Sequence, residues 1–129
     1  MDTSPSGTGR ITVAEAAVRT GHGRADEATG AGGASVLLDV REPDEWSAGH
    51  APGALHHPLT ALMAGAPLPP EARGRCLVVV CRSGNRSQRA ADLLTGLGFE
   101  AVDVIGGMRG WAEAGLPVVD ARGLRGTVA

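Results

Sequence analysis

Leu77-Val-Val-Val80 is a run of four aliphatic residues with no polar position to turn toward water, so whatever element carries it must be covered on both sides. Short and rich in β-branched residues, it reads as a strand inside a parallel sheet, where helices cover both faces. It stops abruptly at Cys81. The loop that follows, Arg82-Ser83-Gly84-Asn85-Arg86, is small and basic, and a helix resumes by Ser87 with apolar positions Ala90, Ala91, Leu93, Leu94 and Leu97. A strand that ends on a cysteine and turns tightly into a helix is suited to holding a thiolate. The backbone N–H groups of such a loop can converge on an anion, and the positive end of the helix dipole faces the sulfur. Arg82 and Arg86 add formal positive charge, and Gly84 lets the backbone curl where a side chain would intrude. An inert core cysteine has no need of two arginines and a glycine turn beside it.

The rest of the chain alternates strand and helix signals. Ile11 reads as a short edge strand, and Thr12-Val-Ala-Glu15 has the form of a capping box opening a helix from Val13 to about Thr20. Val36 to Val40, Ala54 to Pro58 and Glu100 to Ile105 are the remaining strands. Short helices are expected from Pro43, over Leu59 to Ala64 and over Met108 to Ala114, with Pro67-Leu-Pro-Pro70 a stiff connection. This alternation predicts an α/β fold, a three-layer α/β/α sandwich around a mainly parallel five-stranded sheet. Open sheets of that kind place their sites at the carboxyl ends of the strands, where Cys81 stands. Residues 1–9 read as a disordered tail, 10–119 as the domain with a flexible insertion at 21–34, and 120–129 as an exposed C-terminal tail.

Other polar residues invite a role. Asp39 lies within an apolar run and needs a partner, which Arg41 or a nearby backbone N–H can supply. His50, in Gly49-His-Ala-Pro-Gly-Ala54, is weighed as a general base against a structural post, and the structural reading is preferred. His56 and His57 are adjacent on a strand, so their side chains point to opposite faces and cannot easily share an ion. No metal and no cofactor is expected. His22 reads as solvated, and Trp46 as a core residue.

Composition removes whole classes of function. The formal net charge of -2 recommends neither a nucleic acid nor a membrane surface. All 12 basic residues are arginine, which excludes Schiff-base chemistry and lysine-dependent phosphate loops. No apolar run approaches the ~20 residues that span a bilayer, and the expected location is cytoplasmic. Cys76 and Cys81 bracket one strand, which puts them roughly 17 Å apart at the rise of an extended chain, too far for a bridge.

The segment Cys81-Arg-Ser-Gly-Asn-Arg-Ser87 resembles the active-site loop of single-domain rhodanese-like sulfurtransferases. Leu38-Asp-Val-Arg-Glu-Pro-Asp-Glu-Trp46, Gly49-His-Ala-Pro-Gly-Ala54 and Gly106-Gly-Met-Arg-Gly-Trp111 agree with the same family in the same order. The resemblance spans Ile11 to Val119. It implies that Cys81 takes sulfane sulfur as a persulfide from an anionic donor such as thiosulfate and passes it to a thiol or cyanide acceptor. Arg82, Ser83, Gly84, Asn85, Arg86 and Ser87 would form the loop that binds donor and persulfide, with Asp39, Arg41 and His50 structural nearby. A sulfur-relay protein is a further candidate partner, which makes a persulfide carrier the alternative reading. Related cell-cycle phosphatases carry a loop one residue longer. Here four residues separate Cys81 from Arg86, and Ser87 stands where a phosphatase would have its arginine, so a phosphatase or arsenate reductase is the less favoured alternative.

Overall fold

The computed structural model describes residues 9–22 and 35–129. Five strands, β1 (Gly9–Ile11), β2 (Val36–Asp39), β3 (Leu55–His56), β4 (Leu77–Val80) and β5 (Ala101–Val104), form one sheet in the order β1-β5-β4-β2-β3. Every pairing is parallel, and β4 is the middle strand. The helices are α1 (Val13–Arg19), α2 (Pro43–Ala48), α3 (Leu59–Met63), α4 (Asn85–Gly96) and α5 (Gly107–Glu113), with a single 3-10 turn at Pro70–Ala72.

The apolar run dictates the layering. Successive side chains of a strand point to opposite faces, so Leu77 and Val79 enter one core with Val36 and Leu38 of β2, Leu59 and Leu62 of α3, and Ala90, Ala91 and Leu94 of α4. Val78 and Val80 enter the other, with Ile11, Leu37, Val104, Ala16 and Ala17 of α1, and Met108 and Trp111 of α5. Each face of the sheet therefore carries helices, and the fold is a three-layer α/β/α sandwich. Alanine pairs on α1 and α4 let both helices lie close to the sheet. Trp111 is fully buried and donates its indole N–H to the Pro117 carbonyl at 2.8 Å, so its one polar atom is satisfied.

Local signals hold up with adjusted boundaries. Thr12 and Glu15 form the reciprocal capping box at α1, and Pro43 sits in the first turn of α2. α4 begins at Asn85, ahead of Ser87, because left-handed Gly84 (φ 116°) turns the chain directly into the helix. Leu93 and Leu97 lie on its flank and are exposed; Ser87, Ala90, Ala91 and Leu94 make the inward stripe. Two expectations are corrected. Trp46 is not a core residue: α2 buries none of its side chains, and the indole is held between His50, stacked at 3.7 Å between ring centres, and His56 at 4.6 Å. His22 is not merely solvated, since Nδ1 meets the Thr20 hydroxyl at 2.8 Å, Nε2 meets the Pro52 carbonyl, and the ring stands edge-on to Trp111.

The tail expected at 1–9 and the insertion expected at 21–34 fall, for residues 1–8 and 23–34, outside the described residues. Residues 120–129 are largely exposed and fold back on the body: Val119 bridges both His50 and Arg125, and the Thr127 N–H reaches the Ala48 carbonyl at 3.0 Å. Among the described residues no helix is long and apolar enough to cross a membrane.

Candidate active site

Cys81 leaves the carboxyl end of the middle strand with 1 % of its surface exposed. Its carbonyl accepts the Met108 N–H at 2.7 Å, and the Arg82 carbonyl accepts the Arg109 N–H at 3.0 Å. The first turn of α5 thus holds the outer side of both peptides. Gly107 makes this approach possible: at φ 58°, a Cβ there would collide with the Cys81 carbonyl and lie 2.6 Å from that of Arg82. On the inner side, the Gly84 N–H donates to the Cys81 sulfur at 3.0 Å. Gln88 donates its side-chain amide to the Gly84 carbonyl at 3.0 Å and braces the turn. Ser87, in the first turn of α4 and fully buried, places its hydroxyl oxygen 3.4 Å from the sulfur. Ser83 and Asn85 stand exposed on the rim.

The two loop arginines are in different situations. Arg86 forks onto Glu45 of α2, at 2.7 and 2.8 Å. That pair holds the Glu45 carboxyl down at about 2, chiefly through the hydrogen bonds from Arg86, and in return keeps the Arg86 guanidinium more firmly protonated. Arg82 is exposed, its Nε donating to the backbone oxygen of Ala129 at 2.7 Å. One arginine ties the loop to α2; the other stands in the open.

Asp39, Arg41 and His50 are committed to the framework. Asp39 and Arg41 form a wholly buried ion pair at 2.8 Å, and Asp39 also accepts the Arg41 backbone N–H at 3.0 Å. Arg41 continues to the Gly49 carbonyl at 2.6 Å, which ties the end of β2 to the turn after α2. His50 Nδ1 meets the Trp46 carbonyl at 2.8 Å while its ring stacks on the indole. His56 Nε2 meets the Arg41 carbonyl at 2.8 Å, whereas His57 is buried elsewhere, as their opposite facing requires. Cys76 and Cys81 are both free. Among the described residues, no group of three or more His, Cys, Asp or Glu side chains is placed to hold a metal ion.

Three residues beside the loop escaped the sequence reading. Glu45 sits within Leu38–Trp46, but only the folded chain brings α2 to Arg86. Asp103 is fully buried on β5, opposite Val79 of β4, and accepts the Ser87 hydroxyl at 3.1 Å. Arg10, opposite Asp103 on β1, closes on that carboxylate through Nε at 3.0 Å. The signal for Asp103 was present: it interrupts Ala101-Val-Asp-Val104 just as Asp39 interrupts its own apolar run.

A parallel α/β sheet here delivers a buried cysteine from its middle strand into a tight turn whose Gly84 N–H donates to the sulfur. The model of the rhodanese-like domain matches residues 23–114, and the chain belongs to that family. An uncharacterized protein of Synechocystis is 39% identical over 87 residues, which is 67% of this chain and 48% of that protein. The chain therefore spans about half the length of that curated relative. Among solved structures, a rhodanese-related protein from Thermoplasma volcanium is 30% identical with a TM-score of 0.65, covering 86% of this chain and 97% of that one. A protein of unknown function from Rhodopseudomonas palustris, described as a possible tyrosine phosphatase, is 26% identical with a TM-score of 0.70, covering 88% of this chain and 86% of that one. A rhodanese-like domain protein from Staphylococcus aureus shares the fold at 24% identity and a TM-score of 0.63, covering 84% of this chain and 96% of that one. Membership of the family supports a sulfurtransferase-type or related function.

Proposed function

We propose that the protein is a sulfurtransferase in which Cys81 carries sulfane sulfur. The Cys81 thiolate attacks the outer sulfur of an anionic donor such as thiosulfate; a new S–S bond forms, the donor's S–S bond breaks, and sulfite leaves with the bonding pair. An acceptor thiolate or cyanide then takes the outer sulfur and restores the Cys81 thiolate. The Gly84 N–H and the Ser87 hydroxyl stabilise the sulfur's charge in the manner of an oxyanion hole. Arg82, exposed at the rim with Ser83 and Asn85, draws in the donor, while Arg86 holds the loop through Glu45. The observation that carries this reading is the size of the loop: four residues separate Cys81 from Arg86, and the Gly84 N–H and the Ser87 hydroxyl meet the sulfur from within that short turn and just after it.

The test is donor-dependent sulfite release. Cys81→Ser should abolish it, whereas Cys76→Ser, at the far end of β4, should keep most of it. Intact mass after thiosulfate treatment should show one added sulfur on Cys81. Equal loss in both variants would sink the assignment.

The neighbour described as a possible tyrosine phosphatase gives a second reading its footing. The short loop weighs against it here, because Ser87 occupies the place of the arginine that would clamp a phosphoryl group. Phosphate-ester hydrolysis should be no faster than in Cys81→Ser; clear cysteine-dependent turnover would overturn the preference. A persulfide formed only with a desulfurase protein, and not with free thiosulfate, would favour the carrier.

A further inference from the structure

Ser87 stands between two groups that want the same proton. Its hydroxyl oxygen lies 3.4 Å from the Cys81 sulfur and 3.1 Å from Oδ2 of Asp103, and a hydroxyl has one hydrogen to donate. Asp103 reaches this position through strand periodicity. It lies opposite Val79, two residues before Cys81, so its side chain shares the α4-facing side of the sheet with the reacting residue. The carboxylate is fully buried, and its counter-charge is Arg10, whose Nε and second guanidinium nitrogen donate at 3.0 and 3.2 Å. The same Arg10 nitrogen lies 3.1 Å from where a Cβ on Gly84 would be, against the back of the turn whose N–H holds the sulfur.

We propose that Asp103 is a positioning residue for the Cys81 sulfur, acting through Ser87, with Arg10 setting how strongly Asp103 holds the hydroxyl proton. While Cys81 is a thiol, its S–H donates to Ser87 and the Ser87 O–H donates to Asp103. When Cys81 gives its proton to solvent, the Ser87 O–H turns to the sulfur, and Asp103 is left with the two hydrogen bonds from Arg10. The hydroxyl proton stays on Ser87 throughout; only its acceptor changes. The Arg10 pair makes that release affordable, because an uncompensated buried carboxylate would keep the hydroxyl for itself. This inference rests on Cys81 as the reacting group and goes beyond it by assigning two residues from neighbouring strands to its control.

Other charged residues lie on the elements packed against the loop: Arg82 in the loop itself, Arg86 with Glu45 and Glu42 on the α2 side, Arg109 in the first turn of α5, and the Asp39–Arg41 pair at the end of β2. The test leaves all of them in place. In a Cys76→Ser background, the rate of iodoacetamide alkylation of Cys81 is followed against pH. Asp103→Asn should move the midpoint of that profile down by about one pH unit, the scale of one charge-assisted hydrogen bond, and Arg10→Gln should move it up. Ser87→Ala should erase most of both shifts. If Asp103→Asn fails to fold, Arg10→Gln, an exposed position, decides with and without Ser87→Ala. Unmoved midpoints in folded variants would overturn the inference. So would shifts of undiminished size in the Ser87→Ala background, which would mean that charge acts on the sulfur through space. The expected profiles in a protein that releases no sulfite from thiosulfate would uphold this inference and defeat the proposed function; sulfite release with insensitive profiles would do the reverse.

Discussion

At the scale of single residues, Arg82 and Arg86 make different contacts, and under the proposed function that difference would divide donor capture from loop support. Arg86 spends its fork on Glu45, so its charge is matched and its geometry held. Glu45→Gln should cost about 1 kcal/mol of stability, in the range of a partly exposed bidentate pair. It should also lower kcat for sulfite release about tenfold, because a loop that wanders loses the alignment of the sulfur. Arg82→Ala should instead raise KM severalfold with a smaller change in kcat, the mark of binding shared by ground and transition states. That effect should fade at high salt, since an exposed charge is screened over ~8 Å at physiological ionic strength. Steady-state kinetics of the two variants at two salt concentrations check the division; a KM effect from Glu45→Gln matching that of Arg82→Ala would erase it.

Between elements, the loop is shaped as much by α5 as by its own residues. The Cys81 and Arg82 carbonyls are turned outward to the Met108 and Arg109 N–H groups, which leaves the inner side of the turn to the sulfur. Gly107 is the hinge pin of that contact. In Gly107→Ala, the added methyl would meet two backbone carbonyls in a left-handed conformation, and neither carbonyl can swing away as a side-chain end could. The variant should lose about 2 kcal/mol or more in urea unfolding and most of its Cys81 reactivity. Gly115→Ala, at φ 80° but with open space around it, is the control: it should show only the smaller backbone cost and keep Cys81 reactive. Equal loss of thiol reactivity in both variants would show that the Gly107 contact is not specific to the loop.

For the molecule as a whole, acid should act in two separate windows. His57 is buried, burial lowers it from the ordinary 6.5, and among the described residues its Nε2 has no hydrogen-bond partner. Below pH 6.5 the unfolded chain binds a proton there that the folded chain resists, so stability falls as pH drops through that value. Glu45, held at about 2 in place of 4.5, contributes stability that is complete above 4.5 and lost as pH falls from there toward 2. Urea midpoints measured from pH 7.5 to 3 should show both slopes. His57→Leu should flatten the upper one and Glu45→Gln the lower; a His57→Leu profile as steep as the parent's between pH 7 and 5 would remove His57 from the account.

Much of this architecture was legible in the chain because its cause is local. Four aliphatic residues in a row demand cover on both faces, a capping box at Thr12 and Glu15 starts a helix, and a glycine after a cysteine permits a tight turn. Asp39 could be given to Arg41 because the two are separated by a single residue. The contacts that tune the site were not legible in this way. Glu45 meets Arg86, Asp103 meets Ser87 and Arg10, and Gly107 meets Cys81 only after the strands have ordered as β1-β5-β4-β2-β3. Trp46 shows the same limit: its size marks it for the core, yet two histidines brought to either side of its ring hold it half-buried outside both core clusters. Short-range patterning therefore determined the strand, the tight turn after it and the placing of Cys81 between the two. The partners of Arg86, Ser87 and the loop carbonyls were decided by the folded chain, because hydrogen bonds and ion pairs act over a few ångströms between residues that lie 16 to 41 positions apart in sequence.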